Sequence, residues 1–441
     1  MYRTLLILLF VGLISEAWSQ EGFTLKQAQD YAIKNAFSVK STQYDALVAK
    51  LTSDALLGTG LPQISGSIQY SNYIDLPTSL VPAQFFGGKP GEFAKLKFGV
   101  PQNMNAGISA TQLLFNGTWL VGLEASKAYA ELQKKNTTRA EVEIKNAVAQ
   151  AYCIALISEK NLQMIVASRE VMAKMLSDTK QLNDNGFVEI QDVEQLQLNL
   201  NNLDIRRIDA EQQVLLTKDV LKFTMGMPLD QGIVLSENLE EMANANSLEL
   251  LNTVFDPMSN IDIQVAKEGM HMRALNVKAE KSKLLPTAAA FYNMQTQAQR
   301  NEFNFQDANE PWFPIQLWGL QLSVPIFSGF SKSKNIEIAK VQLQQTTDMV
   351  SYSMQAKQLE YNKASGTYRT AFETFQSSKA SLDLSERILT KTRIKYNEGM
   401  SSSFEIAQIQ SQNLLAQGQY IGAMMNLMNA RIALLKALNQ L

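Results

Sequence analysis

The chain has few of the residues that enzymes and metalloproteins depend on. Its 441 residues include one cysteine, Cys153, and one histidine, His271. A single cysteine excludes an intrachain disulfide and a cysteine metal cluster, and a single histidine excludes paired-histidine metal sites and disfavours a Ser-His-Asp triad. Phosphate-binding loops of the G-x-x-x-x-G-K type and G-x-S-x-G elbows are also missing from the sequence. We therefore expect no enzyme, no metal site and no cofactor.

Long apolar runs and an excess of charge are missing as well. The 40 Lys and Arg residues nearly balance the 42 Asp and Glu residues, which argues against nucleic acid as a partner. One apolar run, Leu5–Ile14, follows Arg3 and precedes small residues, so residues 1–19 are predicted to be a cleavable signal peptide. No later run reaches the roughly 18 residues that a membrane-spanning helix needs. The pattern predicts an exported chain without a transmembrane helix.

Proline is confined to three windows, 62–101, 228–257 and 286–325. Because proline breaks helices, the two long proline-free tracts favour helix, and a glycine cluster interrupts each tract near its middle. The sequence predicts two helical hairpins, each with two helices: 117–183 and 188–226, then 329–397 and 403–439. The first arm of each hairpin is roughly 100 Å long at 1.5 Å per residue, and its apolar stripe predicts coiled-coil packing.

Apolar and polar residues alternate in four short segments, as in a β-strand with one wet face. The segments are 64–71, 106–111, 288–297 and 318–324. Each is about as long as a tilted strand that crosses a bilayer, but four strands cannot close a barrel. Three copies of the chain would supply twelve strands. Long polar or Pro/Gly-rich loops join the strands of each pair, and Trp312, Phe313 and Trp318 are candidates for an aromatic girdle.

The second half of the chain repeats the order of the first. Gly107–Gly117 corresponds to Gly319–Gly329, and Leu61-Pro62 corresponds to Leu285-Pro286. An internal repeat of this size indicates duplication. The predicted organisation is repeat 1 at 20–227, with a strand pair at about 62–115, an equatorial connector at 228–258, and repeat 2 at 259–441, with a strand pair at about 287–327.

The chain resembles the TolC family of outer-membrane efflux proteins in the order of its helices and strand pairs and in the duplication of that order. The most specific segments are the hairpin tips, 185–193 and 397–406, and the junctions between strand and helix. The resemblance implies an α+β membrane protein: a homotrimer with a twelve-stranded outer-membrane β-barrel that continues into a long α-helical periplasmic tunnel. It also implies a passive, gated duct that exports small molecules or polypeptides. Its partners would be a periplasmic adapter protein and an inner-membrane pump of the resistance-nodulation-division, ABC or major-facilitator type.

The resemblance assigns roles to individual residues. The pore gate would comprise Glu405, Gln408 and Asp192. In the family an acidic residue lines the constriction where Glu405 stands, and Gln408 replaces a second acid. Asp192 matches a latch position whose arginine partner is replaced by Ser401. Adapter contacts at the hairpin tips would be Gly186, Phe187, Val188, Gly399, Met400 and Ser401. The strand-helix junctions would be Pro62, Phe115, Gly117, Pro286, Phe327 and Gly329.

Other interpretations remain open from the residues alone. Glu405 and Asp192 are equally compatible with a solvated helix face, and methionines such as Met424 and Met428 fit helix packing better than soft-metal binding. A periplasmic adapter would carry a single hairpin flanked by β-rich domains, and a structural coiled coil would lack the alternating strands. The duplicated strand pairs argue against both alternatives.

Overall fold

A computed structural model describes residues 22–244 and 249–440 of the chain, so the predicted signal peptide lies outside the described residues. The fold is α+β. Its helices are α1 (Leu25–Asn35), α2 (Phe37–Gly58), α3 (Gly117–Asp184), α4 (Ile190–Met225), α5 (Leu239–Asn244), α6 (Ile261–Ser282), α7 (Ser331–Asn397) and α8 (Ser403–Ala437). Its strands are β1 (Gln63–Asn72), β2 (Thr78–Pro82), β3 (Phe93–Lys97), β4 (Gln102–Asn116), β5 (Thr287–Arg300) and β6 (Phe313–Ser323).

The chain divides into two compact units. The helical unit contains residues 22–46, 132–244, 249–267 and 348–440, and the sheet unit contains 47–131 and 268–347. Both repeats contribute to both units, so the units do not coincide with the two sequence repeats. In the described part of the chain, no helix has a stretch apolar enough to cross a membrane.

The sheet unit is built around four antiparallel strands in the order β1-β4-β5-β6. The strands of one repeat therefore join those of the other through the β4–β5 pair, which has a bulge between Leu113 and Phe115. Strand β6 ends at Ser323, short of the predicted 327, because Pro325 has no N–H to donate to the ladder. Helix α7 begins at Ser331, two residues later than predicted.

The loop between β1 and β4 contains a hairpin that the sequence pattern did not predict. Strands β2 and β3 pair over five residues, from Thr78 opposite Lys97 to Pro82 opposite Phe93. A 3-10 turn at Ala83–Phe86 joins them and ends at Gly87, whose φ is 80°. The two strands are too short for an alternating pattern to be recognised in the sequence. Pro82 within β2 also argues against a strand at this position.

The helical unit has its main core where α1, α3, α4, α7 and α8 pack together. Tyr152, Tyr368, Phe375, Met424 and Leu427 are almost completely buried there. Met424 and Met428 are core residues, in agreement with the packing interpretation. The connector 228–258 holds helix α5 and short 3-10 turns among its described residues. Tyr152 Oη donates to the Phe23 carbonyl over 2.7 Å, which fixes the first described residues to the core.

Candidate functional site

The two hairpin tips have the same backbone geometry. Gly186 and Gly399 have φ values of 77° and 74°, the left-handed region that favours glycine. Phe187 N donates to the Leu182 carbonyl and Met400 N donates to the Lys395 carbonyl, both over about 2.9 Å. This six-residue closure is the Schellman motif that ends many helices. The duplication in the sequence is therefore present in the hydrogen bonds of the tips.

The tips present apolar side chains to solvent. Phe187 is 77% exposed and Met400 is 66% exposed, while Val188 and Ser401 are partly covered. Asn183 Nδ2 donates to the Val188 carbonyl over 2.8 Å and braces the first tip from within. Ile190 and Phe404 are also exposed, so each tip is a turn that carries two exposed large apolar side chains.

Asp192 connects the two hairpins. It lies in the first turn of α4, where its Oδ2 accepts the backbone N–H of Glu189 over 3.3 Å. Its Oδ1 accepts a hydrogen bond from Ser403 Oγ, at the start of α8. Ser401 instead donates to Glu405 over 2.8 Å within its own hairpin. The partner of Asp192 is thus Ser403, two residues beyond the position that the resemblance indicated.

A second polar contact between the hairpins lies near the first. Thr179 Oγ1 of α3 and Tyr396 Oη of α7 are 2.8 Å apart, and both side chains are buried. Burial raises the pKa of Tyr396, and the nearby carboxylate of Asp192 raises it further, whereas the hydrogen bond with Thr179 lowers it. The net effect is a raised pKa, so the phenol stays protonated. An apolar cluster from α3, α4 and α8 surrounds this pair: Met172, Met175, Leu176, Val193, Leu196, Leu203 and Ile406. The ends of the two hairpins form one packed body.

Glu405 and Gln408 lie one turn apart on α8, and both are exposed. The N–H of Glu405 donates to Ser402 Oγ over 3.2 Å, so this helix begins with a side-chain cap. Asp192 and Glu405 are equivalent positions in the two repeats, each the third residue of its helix. Their environments differ, because Asp192 bonds across to the other hairpin and Glu405 bonds only within its own.

The predicted junction residues lie at the ends of strands or within six residues beyond them. Pro62 and Pro286 immediately precede β1 and β5, and Phe115 lies just after the bulge in β4. Gly117 begins α3, where an added Cβ would lie 2.7 Å from Leu285 Cδ1. Asn116 Oδ1 caps that helix by accepting the N–H groups of Thr118 and Trp119. Gly329 has a φ of 59° and lies between Phe327 and Phe330, whose rings contact edge to face.

Sequence reasoning missed Ser403, Thr179 and Tyr396. These residues make the contacts between the hairpins, but their partners are more than 200 positions away in the chain. One signal for Ser403 was available, because the equivalent residue in repeat 1 is the apolar Ile190. A departure from the repeat at a tip marks a position where the two hairpins have different roles.

Among the described residues, no group of three or more His, Cys, Asp and Glu side chains is arranged to hold a metal ion. His271 is exposed on α6, with Nδ1 3.6 Å from Glu268 Oε2. The four-stranded sheet and the two helical hairpins are the elements that the resemblance implies for one subunit of an outer-membrane channel.

Comparison with known proteins finds a family model and a curated relative that are similar to this chain. The family model described as outer membrane efflux protein matches residues 258–440, most of repeat 2. The outer membrane protein TolC of Vibrio cholerae is 22% identical over 294 residues, which cover 64% of this chain and 66% of the relative, just under two thirds of its length. The second half of the chain is thus similar to outer membrane efflux proteins, and the curated relative that it matches is an outer membrane protein.

Solved structures show the same fold. The channel CusC superposes with a TM-score of 0.72 at 14% identity, covering 94% of this chain and 91% of CusC. The open state of the Neisseria gonorrhoeae MtrE outer membrane channel gives a TM-score of 0.73 at 14% identity, covering 94% and 88%. The Campylobacter jejuni CmeC outer membrane channel gives 0.70 at 15% identity, covering 94% and 85%. At these identities the likeness concerns the fold.

Proposed function

We propose that the chain is one subunit of a passive, gated duct through the outer membrane. An inner-membrane pump would deliver small molecules, such as drugs and toxic compounds, or polypeptides through a periplasmic adapter. The observation that carries the proposal is the four-stranded sheet of the sheet unit. Its even-numbered face is mostly apolar and exposed, as the lipid-facing side of a membrane barrel is.

The sheet also supports assembly from several copies. Within the described residues, β1 and β6 each pair with one strand only, so each leaves an open edge. Open edges are not tolerated in the hydrocarbon region, because their backbone N–H and C=O groups find no partner there. Pairing β1 of one copy with β6 of the next removes the edges, and three copies close a twelve-stranded barrel. The helical hairpins would then form the periplasmic tunnel.

The contacts between hairpins form the gate in this proposal. The bonds Ser403 to Asp192 and Thr179 to Tyr396 hold the second hairpin against the first. Opening requires the second hairpin to move away, which breaks both bonds. Each bond is worth on the order of 1 kcal/mol, and more where an acceptor is charged. In this proposal Ser403 takes the role that the resemblance assigns to an arginine two residues earlier, at the position of Ser401.

Glu405 would set the preference of the mouth for ions. In a trimer one exposed carboxylate becomes a ring of three, and such a ring attracts cations and repels anions. Gln408, one turn further along α8, is neutral. The entrance therefore carries half the charge that two acidic residues per subunit would give. The exposed tips, with Phe187 and Met400 at their ends, would receive the adapter.

Single-channel recording in planar bilayers tests the latch. We expect Ser403→Ala to raise the open probability, because it removes the hydrogen bond that reaches the other hairpin. A loss of about 1 kcal/mol corresponds to about a fivefold shift of the closed-to-open equilibrium. The matched control is Ser401→Ala, which removes a neighbouring hydroxyl that bonds only within its own hairpin.

The outcomes separate the two parts of the proposal. Equal open probabilities for Ser403→Ala and Ser401→Ala would reject the latch but would not contradict the proposed duct. The wild-type protein could also insert into the bilayer in folded form without conducting. If Ser403→Ala did not conduct either, the result would argue against the duct itself.

A further inference from the structure

One face of the four-stranded sheet has no charged side chain. The odd-numbered residues of β1, β4, β5 and β6 lie on this face, which we call the odd face, because the pairing registers keep odd residues opposite odd residues as far as the bulge that follows Leu113. In these four strands, as the structure describes them, the only charged residue is Arg300. Arg300 has an even number, is buried at the end of β5, and donates to the carbonyls of Gln299 and Pro311.

The odd face consists of carboxamide and hydroxyl groups beside an apolar strip. Four rows of odd-numbered residues cross the strands from β1 to β6. Three of them are Ser65-Ser109-Asn293-Leu317, Ser67-Gly107-Gln295-Ile315 and Gln69-Asn105-Gln297-Phe313. Each of these three rows is polar or glycine on β1, β4 and β5 and ends with an apolar residue on β6. The fourth row, Gln63-Thr111-Phe291-Gly319, instead has its apolar residue on β5.

Contacts on this face hold the polar side chains in place. The hydroxyl oxygens of Ser65 and Ser109 are 2.8 Å apart and form a hydrogen bond across β1 and β4. Gly107 lies under Gln295, since a Cβ added to the glycine would lie 2.7 Å from Gln295 Cβ. Gly66, which belongs to the opposite face, has no such close neighbour. The centre of the odd face is therefore shaped to accommodate a carboxamide side chain.

The opposite, even-numbered face has the character of a lipid-facing surface. Ile68, Trp318 and Leu320 are 78%, 74% and 71% exposed. Large apolar side chains at this exposure on a sheet are stable when acyl chains surround them. In a membrane barrel, residues alternate between lipid and lumen, so the odd face is the one that turns to the lumen.

We propose that the odd face lines the outer-membrane lumen and that this lumen passes amphiphilic organic molecules without selecting them by charge. The proposal rests on the duct function proposed above and specifies its cargo class. Carboxamides and hydroxyls donate and accept hydrogen bonds, so they solvate cationic, anionic and neutral polar groups alike. The strip Phe313, Ile315 and Leu317 takes the apolar parts of the same molecules. Selection by charge is left to other positions such as Glu405.

Cysteine labelling of the membrane-inserted protein tests this directly. The variant Gln295→Cys is treated with a cationic and an anionic methanethiosulfonate of similar size, and each rate is divided by the rate with a small free thiol. An uncharged lumen gives the two reagents the same normalised rate within about twofold, whereas nearby carboxylates favour the cation by about tenfold or more. The native Cys153 is buried and does not compete for reagent.

Matched variants complete the experiment. Met294→Cys lies next to Gln295 on the other face and is expected to stay unlabelled by both reagents. Gln295→Cys with Gln297→Glu is the positive control and is expected to favour the cationic reagent by several-fold. Asn293→Cys repeats the measurement on the odd face if Gln295→Cys does not assemble.

Each result decides the proposal. Equal normalised rates at Gln295→Cys with a silent Met294→Cys support it. A tenfold skew towards either charge, labelling of Met294→Cys alone, or no labelling on the odd face overturns it. Labelling needs no conduction, so a protein that labels as expected but never conducts contradicts the proposed function and leaves the polar lumen intact.

Discussion

At the residue scale, Asp192 and Glu405 show how duplicated positions acquire different roles. Both are the third residue of a helix that follows a glycine turn. Asp192 is half-buried and accepts a hydrogen bond from Ser403 of the other hairpin, whereas Glu405 is exposed and bonds to Ser401 beside it. The surroundings of each acid, rather than its type, therefore distinguish the proposed latch residue Asp192 from the proposed pore-lining residue Glu405.

The acids themselves could be predicted from the repeat, but their partners could not. A motif fixes which residue follows a turn, because that depends on local backbone geometry. The bonds of Asp192 and Tyr396 depend on how two helical hairpins pack, and their partners lie 211 and 217 positions away. Sequence reasoning therefore placed Asp192 at a tip, where its role in the gate stays a prediction, and left Ser403 and Thr179 unnamed.

Cys153 provides a residue-scale prediction. Burial raises the pKa of its thiol to about 12, against the smaller opposite effect of Arg431. At pH 8 the thiolate fraction is then roughly a thousandfold lower than for a free cysteine, so we expect a maleimide to leave the folded protein unlabelled. In denaturant the same thiol should react completely. Because the chain has one cysteine, mass spectrometry counts the label unambiguously.

The denatured sample is the positive control, and Cys153→Ala supplies the background. Labelling of the folded protein as fast as of the denatured protein would contradict the packing described around α3.

At the element scale, the helices were the most predictable part of the fold. The predicted span 117–183 compares with Gly117–Asp184, and the predicted span 403–439 compares with Ser403–Ala437. Proline-free length and glycine stops are local signals that a single chain carries. The β2–β3 hairpin was missed because its strands have five residues each and include a proline. The order β1-β4-β5-β6 also needed the structure, since pairing across repeats leaves no local signature.

The hairpin tips give an element-scale prediction. Phe187→Asp and Met400→Asp place a charge where an apolar contact with an adapter is proposed. Burying an unpaired charge is costly, so we expect adapter binding to weaken by about a hundredfold or more. Cells that carry either variant should accumulate a fluorescent efflux substrate, while the purified variants keep the wild-type single-channel conductance.

The control is Val254→Asp, which charges a connector residue that is 90% exposed and lies outside the tips. Normal efflux by both tip variants would remove the tips from the adapter interface. A loss of efflux with a matching loss of conductance would assign the tips to folding or gating instead.

At the scale of the whole molecule, both repeats build both units. The sheet unit takes two long strands from each repeat, and the helical unit takes one hairpin from each. The duplication predicted the number and order of these parts. How many chains share a barrel does not follow from one chain, because it depends on how the open edges of β1 and β6 are paired between copies.

The most direct test of the shared barrel is native mass spectrometry of the mature protein extracted in detergent. We expect a particle of three chains that persists without crosslinking and that falls apart only when the sheet is denatured, since backbone pairing between β1 and β6 holds the copies together. A stable single chain that inserts into bilayers and conducts would contradict the account, because four strands in one chain would then have to span the membrane with two open edges.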